Sequence, residues 1–203
     1  MSWLRPNHAG QAANGAEPLD TTITYLRMER PPATYPAKPA NVHAALLAVP
    51  EPPLHFYRYL YFQVGIHWNW EARLRMDDAA LRRAVHAEPC EITVLYVDGA
   101  PAGFFELNRK SESHTDLAYF GMMPHVHGMG LGRWFLGQAI EAAWSAEPEE
   151  VTVNTCTLDH PAALPLYQKM GFRPYRQSQG RVHPLTENER TGLSTRFGIT
   201  GGP

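Results

Sequence analysis

The sequence predicts an α/β fold, of the α+β type, in which a mostly antiparallel mixed sheet is flanked by helices. From residue 91 onward, short apolar runs alternate with turn signals, which is typical of neighbouring antiparallel strands. Beyond residue 124, two amphipathic segments alternate with further apolar runs, which indicates a crossover connection late in the sheet. A chain of 203 residues suits one domain, which we predict at 19–178, between a flexible segment 1–18 and a tail 179–203.

The first part of the chain is irregular in composition. Residues 21–28 are β-branched and aromatic, and they predict a first strand. Seven prolines fall within 31–53, so this segment is predicted to be a connector in which any helix is confined to 41–49. The densely aromatic run 54–70 is predicted to begin as a helix.

The second part alternates predicted helices and strands. A helix begins at Asp77 or Asp78, either of which can act as its N-cap. An Asp-Gly pair at 98–99 predicts a tight hairpin. The further elements are predicted strands at 92–97, 102–108, 117–123, 151–157 and 172–176 and predicted helices at 131–146 and 162–170.

Composition excludes several classes of function. Neither a run of about 18 apolar residues nor an N-terminal signal region is present, so no membrane segment is predicted. A net charge of −2 without a basic run gives no footprint for nucleic acid. Cys90 and Cys156 form no CxxC pair, which favours the cytoplasm over a disulfide framework or a zinc site. Small molecules or peptides are the expected partners, and a homodimer is compatible with the sequence.

A glycine-rich loop lies between a predicted strand and a predicted helix. Residues 124–133 read PHVHGMGLGR. The first N–H groups of a helix have no partner inside it and carry partial positive charge, and glycines let an anion approach the backbone closely. The loop can therefore bind phosphate oxygens without a lysine. Its spacing fits neither a P-loop nor a dinucleotide fold, and a glycine loop without a ligand stays an alternative.

Two motifs resemble those of the GNAT acetyltransferase superfamily. The loop is similar to the family's acetyl-CoA loop, Arg/Gln-x-x-Gly-x-Gly/Ala, in which Gly130 and Gly132 match and His127 takes the Arg/Gln position. Residues 159–172 resemble the family's closing element, a short helix with A-x-x-L/F-Y that ends in Gly-Phe, although His160 stands where an Asn is usual. The matching residues are Ala163, Leu166, Tyr167, Gly171 and Phe172.

The resemblance, which covers roughly residues 92–176, implies a GNAT-type fold with a V-shaped splay between two central strands. It also implies acetyl-CoA as the acyl donor, with its pyrophosphate in the loop and its pantetheine arm along the strand before the loop. The predicted binding residues are Phe120, Gly121, Met122, His127, Gly128, Met129, Gly130, Leu131, Gly132 and Arg133.

The predicted reaction is acetyl transfer to a primary amine of a small molecule or peptide by direct attack on the thioester. Tyr167 matches the family's general-acid position, and a phenol can protonate a leaving thiolate. Asp116 stands where some members carry a catalytic glutamate, and Glu106 is a second candidate base because neighbouring aromatic residues suggest burial. Base-free transfer through water stays an alternative for both. No metal site is predicted.

The acceptor is left open by the sequence. Aromatic residues of the run 54–70 can hold a cation over a ring face, whereas Arg58, Arg73 and Arg75 can pair with an acceptor carboxylate. Two alternatives to an N-acetyltransferase also stay open. One is a CoA-binding regulatory module without turnover, and the other is an acyltransferase that uses a longer acyl-CoA.

Overall fold

The computed structural model describes residues 16–197, which form one seven-stranded sheet with helices on both faces. The strands are β1 (Leu19–Met28), β2 (Ala44–Ala48), β3 (Cys90–Val97), β4 (Ala100–Ser111), β5 (His114–Met122), β6 (Glu150–Cys156) and β7 (Arg173–Val182). The helices are α1 (Leu54–Gly65), α2 (Asp78–Val85), α3 (Leu131–Trp144), α4 (Ala163–Lys169) and α5 (Glu187–Arg196). The predicted mixed α/β fold is confirmed.

The sheet has the strand order β2-β3-β4-β5-β6-β1-β7, and every neighbouring pair is antiparallel except β5 and β6. β5 and β6 are parallel because the crossover through α3 carries the chain back to the end of the sheet at which β5 began. β5 and β6 are in register only from His114 and Glu150 to Leu117 and Val153. Beyond those residues β5 pairs with β4 alone and β6 with β1 alone, so the two strands part in a V.

Each face of the sheet has its own apolar core. Because side chains alternate along a strand, Phe104 faces α1 and α2 whereas Phe105 faces α3. The core under α1 and α2 is rich in aromatic rings, and it includes Tyr57, Tyr61 and Tyr119. The sheet therefore separates the molecule into two halves, and the V between β5 and β6 is where they meet.

Two predictions about the ends of the sheet were wrong. The proline-rich connector contains a strand, β2, in place of any helix, because Ala44–Ala48 pairs with β3 along its whole length. An edge strand needs only one partner, so this pairing overrides a sequence with little β propensity. The last strand is also longer than predicted, since β7 pairs with β1 as far as Val182.

The predicted tail 179–203 begins with the end of β7 and continues into α5. Thr186 and Glu189 form a reciprocal capping box that starts this helix. The predicted flexible segment 1–18 lies outside the described residues except for 16–18, and the predicted domain bounds stay a prediction. Among residues 16–197, no helix combines the length and the apolar character needed to traverse a lipid bilayer.

Candidate active site

A cavity of about 270 Å³ lies where β5 and β6 part. One set of lining residues, including Leu117, Val153 and Tyr167, belongs to the core on the α3 face. Another set, including Val64 and Trp70, belongs to the core on the α1 face. The cavity therefore passes through the plane of the sheet, and both halves of the molecule contribute to its wall.

The glycine-rich loop forms one end of this cavity. His127, Gly128 and Gly132 line it, and the loop residues Gly128 and Gly130 have φ angles of +81° and +75°. Gly130 is the N-cap of α3 and makes no side-chain hydrogen bond to the helix. The first N–H groups of α3 consequently have no side-chain acceptor, which is the arrangement that binds an anion such as a pyrophosphate.

The imidazole of His127 is oriented by the end of β5. Its Nε2 lies 3.1 Å from the carbonyl oxygen of Met122, and since a carbonyl only accepts, Nε2 carries the hydrogen. Nδ1 is then the ring nitrogen left for a ligand, as an acceptor in the neutral ring and as a donor in the charged ring.

The edge of β5 that faces the V supplies a backbone wall. Phe120, Gly121 and Met122, which the family resemblance places against an extended ligand arm, line the cavity. A Cβ on Gly121 would lie 2.3 Å from Cγ1 of Val64, so the glycine lets α1 pack directly on this strand. Ala118 also lines the cavity, at a bulge where the register with β4 shifts and leaves this residue without a partner in the ladder.

Tyr167 lies on α4 and lines the cavity from the α3 face. Its ring packs between Phe120 and Phe172, with centroids 6.4 and 5.9 Å away. Burial, and secondarily the negative charge of Asp159, raise the pKa of the Tyr167 phenol above its ordinary value. The hydroxyl therefore keeps its proton at neutral pH, and the same shift makes it a weaker acid than an ordinary phenol.

Asp159 is a lining residue that the sequence interpretation missed. Its Oδ1 accepts from the indole N–H of Trp70 at 3.2 Å, and its Oδ2 accepts from Thr155 Oγ1 and from the backbone N–H of Cys156 at 2.7 and 2.9 Å. The carboxylate thus links the segment after α1 to the segment before α4. In the sequence, the feature that could have indicated Asp159 is its position three residues beyond the end of β6.

The two carboxylates predicted as bases do not line the cavity. Asp116 accepts from Thr152 Oγ1 at 2.6 Å and lies 3.0 Å from the ammonium of Lys110. A position at the start of β5 puts it where the ladder with β6 is still closed, below the point where the V opens. Direct contact with an acceptor in the cavity is therefore not available to it.

Glu106 is fully buried between α1 and the sheet. The guanidinium of Arg73 and the hydroxyl of Tyr57 each donate to one of its oxygens at 2.6 Å. Burial raises the pKa of Glu106, and the charge of Arg73 opposes that effect. Since both oxygens are occupied within the protein, the arrangement is that of a structural ion pair.

The remaining predicted binding residues belong to the loop but do not line the cavity. Met129 and Arg133 are exposed, whereas the side chain of Leu131 is buried in the core. Only the backbone of Leu131 is thus available to a ligand. Among residues 16–197, no three His, Cys, Asp or Glu side chains converge in a way that could hold a metal ion.

The sequence model of the acetyltransferase (GNAT) family matches residues 54–172, which span the cavity and both of its ends. No curated protein matches the chain significantly.

Solved structures are similar in fold. An acetyltransferase of the GNAT family from Novosphingobium aromaticivorans has 15% identity and a TM-score of 0.55, over 83% of this chain and 66% of that one. A GCN5-related N-acetyltransferase from Kribbella flavida has 17% identity and a TM-score of 0.53, over 83% and 61%. An aminoglycoside N-acetyltransferase in complex with CoA has 17% identity and a TM-score of 0.50, over 69% and 95%. The chain thus spans less than two thirds of the length of the first two.

Proposed function

The chain belongs to the acetyltransferase (GNAT) family, and from this premise we propose that it is an N-acetyltransferase. It transfers the acetyl group of acetyl-CoA to a primary amine of a small molecule or peptide, by direct attack of the amine on the thioester. The observation that supports this proposal best is the cavity through the sheet. It has an anion-binding loop at one end, a protonated phenol in its wall and an aromatic enclosure at the other end.

The donor is held mainly by the backbone in this proposal. The N–H groups at the start of α3 bind the pyrophosphate, and the ring of His127 lies beside them in the cavity wall. The pantetheine arm runs along Phe120, Gly121 and Met122. The thioester then reaches the bulge, where the N–H of Ala118 lies outside the β4 ladder and is the candidate donor to the carbonyl oxygen.

Tyr167 acts as the general acid in the proposed mechanism. As the carbon–sulfur bond breaks, the departing thiolate takes the proton of the phenol, and the proton that the acylated nitrogen loses returns through water to the Tyr167 phenolate. Because the pKa of Tyr167 is raised, the phenol stays protonated until the thiolate forms. Holding the amine and the thioester together supplies much of the acceleration, because a thioester is already activated.

The proton of the incoming ammonium leaves through water. Asp116 and Glu106 were the predicted bases, but both are bonded within the protein and neither lines the cavity. Asp159 is the lining carboxylate, yet three hydrogen bonds to it favour a positioning role. We therefore propose the base-free route, in which the amine binds after losing its proton to solvent.

The proposal includes the partners and the cellular location of the enzyme. Acetyl-CoA and the amine are the proposed partners, and the cytoplasm is the proposed location. Cys90 and Cys156 are both free thiols in the structure.

Release of free CoA thiol from acetyl-CoA in the presence of a panel of primary amines tests the function. Acetylated amine detected by mass spectrometry in step with thiol release is the expected result. Binding of CoA without turnover of any amine would replace the proposal by a CoA-binding regulatory module. Faster turnover with butyryl-CoA or a longer acyl-CoA would mean that the donor is that acyl-CoA and not acetyl-CoA.

A further inference from the structure

The arginines near the aromatic end of the cavity are committed to contacts inside the protein. Three of them each pair with a carboxylate of another segment, Arg190 donates to the carbonyl oxygen of Ile66 and to Asn69 Oδ1, and none of the four lines the cavity. Among the described residues that line it, none is an arginine or a lysine. The pairs are Arg58 with Asp78 at 2.6 Å, Arg73 with Glu106 at 2.6 Å and Arg75 with Glu189 at 3.1 Å.

The wall on the α1 face is built from rings. Trp68 and Trp70 follow α1, and Tyr119 and Val64 complete this side of the cavity. Trp70 lies 5.3 Å from Tyr119 between ring centroids, and its indole N–H is bound by Asp159, so the ring is fixed. Such a wall accepts a flat apolar group or a cation against a ring face.

Two polar groups beside these rings are hydrogen-bond acceptors. The third, His160, has its ring 4.8 Å from that of Trp68 and carries its hydrogen on Nε2, because its Nδ1 accepts from the N–H of Ala162. Asn154 lines the cavity, and since Val153 faces α3, alternation along β6 places Asn154 on the α1 face. Its Oδ1 is buried and has no hydrogen-bond partner among residues 16–197. The carboxylate of Asp159 is the acidic side chain among the described lining residues. Both groups favour an N–H donor over an anion.

We infer that the acceptor is a primary amine on an aromatic or aliphatic group without a carboxylate, and that Asn154 accepts a hydrogen bond from it. This inference rests on the proposed function and narrows its substrate class. A carboxylate brought into the cavity would lose its hydration without meeting an arginine or lysine, and it would face the negative charge of Asp159. The single N–H of the His160 ring does not replace the full charge that a carboxylate needs as a partner. An amine without that group avoids both costs.

Matched pairs of acceptors test the inference. The purified protein is assayed with acetyl-CoA and 2-phenylethylamine, phenylalanine or phenylalanine amide, and with tryptamine, tryptophan or tryptophan amide. Each amine should exceed its amino acid in kcat/KM by at least about 100-fold. The amides, which keep the extra volume but lose the charge, should recover at least about tenfold of that difference. Amino acids turned over as well as the amines, or amides as poor as the acids, would overturn the inference.

Asn154→Leu removes the unsatisfied acceptor at nearly constant volume. It should raise KM for the amine about tenfold while KM for acetyl-CoA stays within about twofold. Asn108→Leu is the matched control, since Asn108 pairs with Asp116 on the same sheet but does not line the cavity. An unchanged amine KM in Asn154→Leu would remove Asn154 from recognition.

Failure of the proposed function gives a different result from failure of the inference. If no amine is acetylated, quenching of tryptophan fluorescence in the CoA-bound protein reports binding to the wall of Trp68 and Trp70. Quenching by 2-phenylethylamine but not by phenylalanine would then support the inference although the function fails. Equal quenching by both, or by neither, would overturn it.

Discussion

The two ends of the cavity are built on opposite plans. The glycine end uses backbone groups: Gly128 and Gly130 adopt positive φ, and the start of α3 has no capping side chain. The aromatic end uses side chains fixed by one another, with a buried ion pair of Arg73 and Glu106 beneath its rings. A backbone site requires that side chains be absent, whereas a side-chain enclosure depends on every one of its members being present.

Removing the buried charge of Glu106 should have the largest effect. Glu106→Gln leaves Arg73 unpaired in the core, and the free energy of unfolding should fall by about 3 kcal/mol. Turnover by the folded protein should stay within about twofold, because Glu106 does not line the cavity. Denaturant unfolding and steady-state kinetics measure the two effects.

The exposed Glu149→Gln is the control for this variant, and its stability should change by less than about 0.5 kcal/mol. If Glu106→Gln lost turnover while its stability was unaltered, Glu106 would be the base after all, and the aromatic end would hold catalytic machinery.

Tyr167→Phe tests the wall between the two ends. We expect kcat to fall about 100-fold, because the variant cannot protonate the leaving sulfur. The dissociation constant of acetyl-CoA, measured by calorimetry, should stay within about twofold, since the glycine end is unaltered. Tyr175→Phe, on the exposed part of β7, should match the wild type. Unchanged turnover in Tyr167→Phe would exclude the phenol as the acid.

Gly121→Ala tests whether the close packing of α1 on β5 is required for stability. The new Cβ would lie 2.3 Å from Cγ1 of Val64, so α1 must shift, and the free energy of unfolding should fall by about 1–3 kcal/mol. The double variant Gly121→Ala, Val64→Ala should recover part of the lost free energy of unfolding. It should also turn over faster than Gly121→Ala alone. Gly192→Ala, where a Cβ meets no atom within 4 Å, is the control in thermal unfolding. If the second substitution rescues nothing, packing of α1 on β5 is not the cause.

His127→Arg should change the glycine end only slightly. An arginine at this position can donate to a phosphate, so CoA should bind equally well or up to about tenfold more tightly. Calorimetric titration of CoA measures this effect. A large loss of affinity would show that the contact of His127 with Met122 matters more than any contact with the ligand.

Tyr167 should stay protonated at alkaline pH. Since the pKa of Tyr167 is raised, the phenol keeps its proton as pH rises. We therefore expect kcat/KM to increase with pH as more of the amine loses its proton, without a decline up to about pH 10. A decline between about pH 8 and 10 would mean that the titrating acid is another group.

The two ends also differ in how far they could be predicted. The turn into α3 was predicted correctly, because its signal is local: Gly128 and Gly130, which adopt positive φ, lie within three residues of the start of the helix. Contacts at the aromatic end join distant segments: Trp70 and Asp159 are 89 residues apart. The positions of Asn154 and Asp116 follow from strand register, which the sequence pattern did not specify.

The short ladder between β5 and β6 has a kinetic consequence. Because pairing stops at Leu117 and Val153, two reactants can be held at once, one by each half of the molecule. Steady-state plots with both concentrations varied should then intersect, as they do when a ternary complex precedes the first product. The order in which the reactants arrive would be a matter of affinity, and saturation by one would not exclude the other.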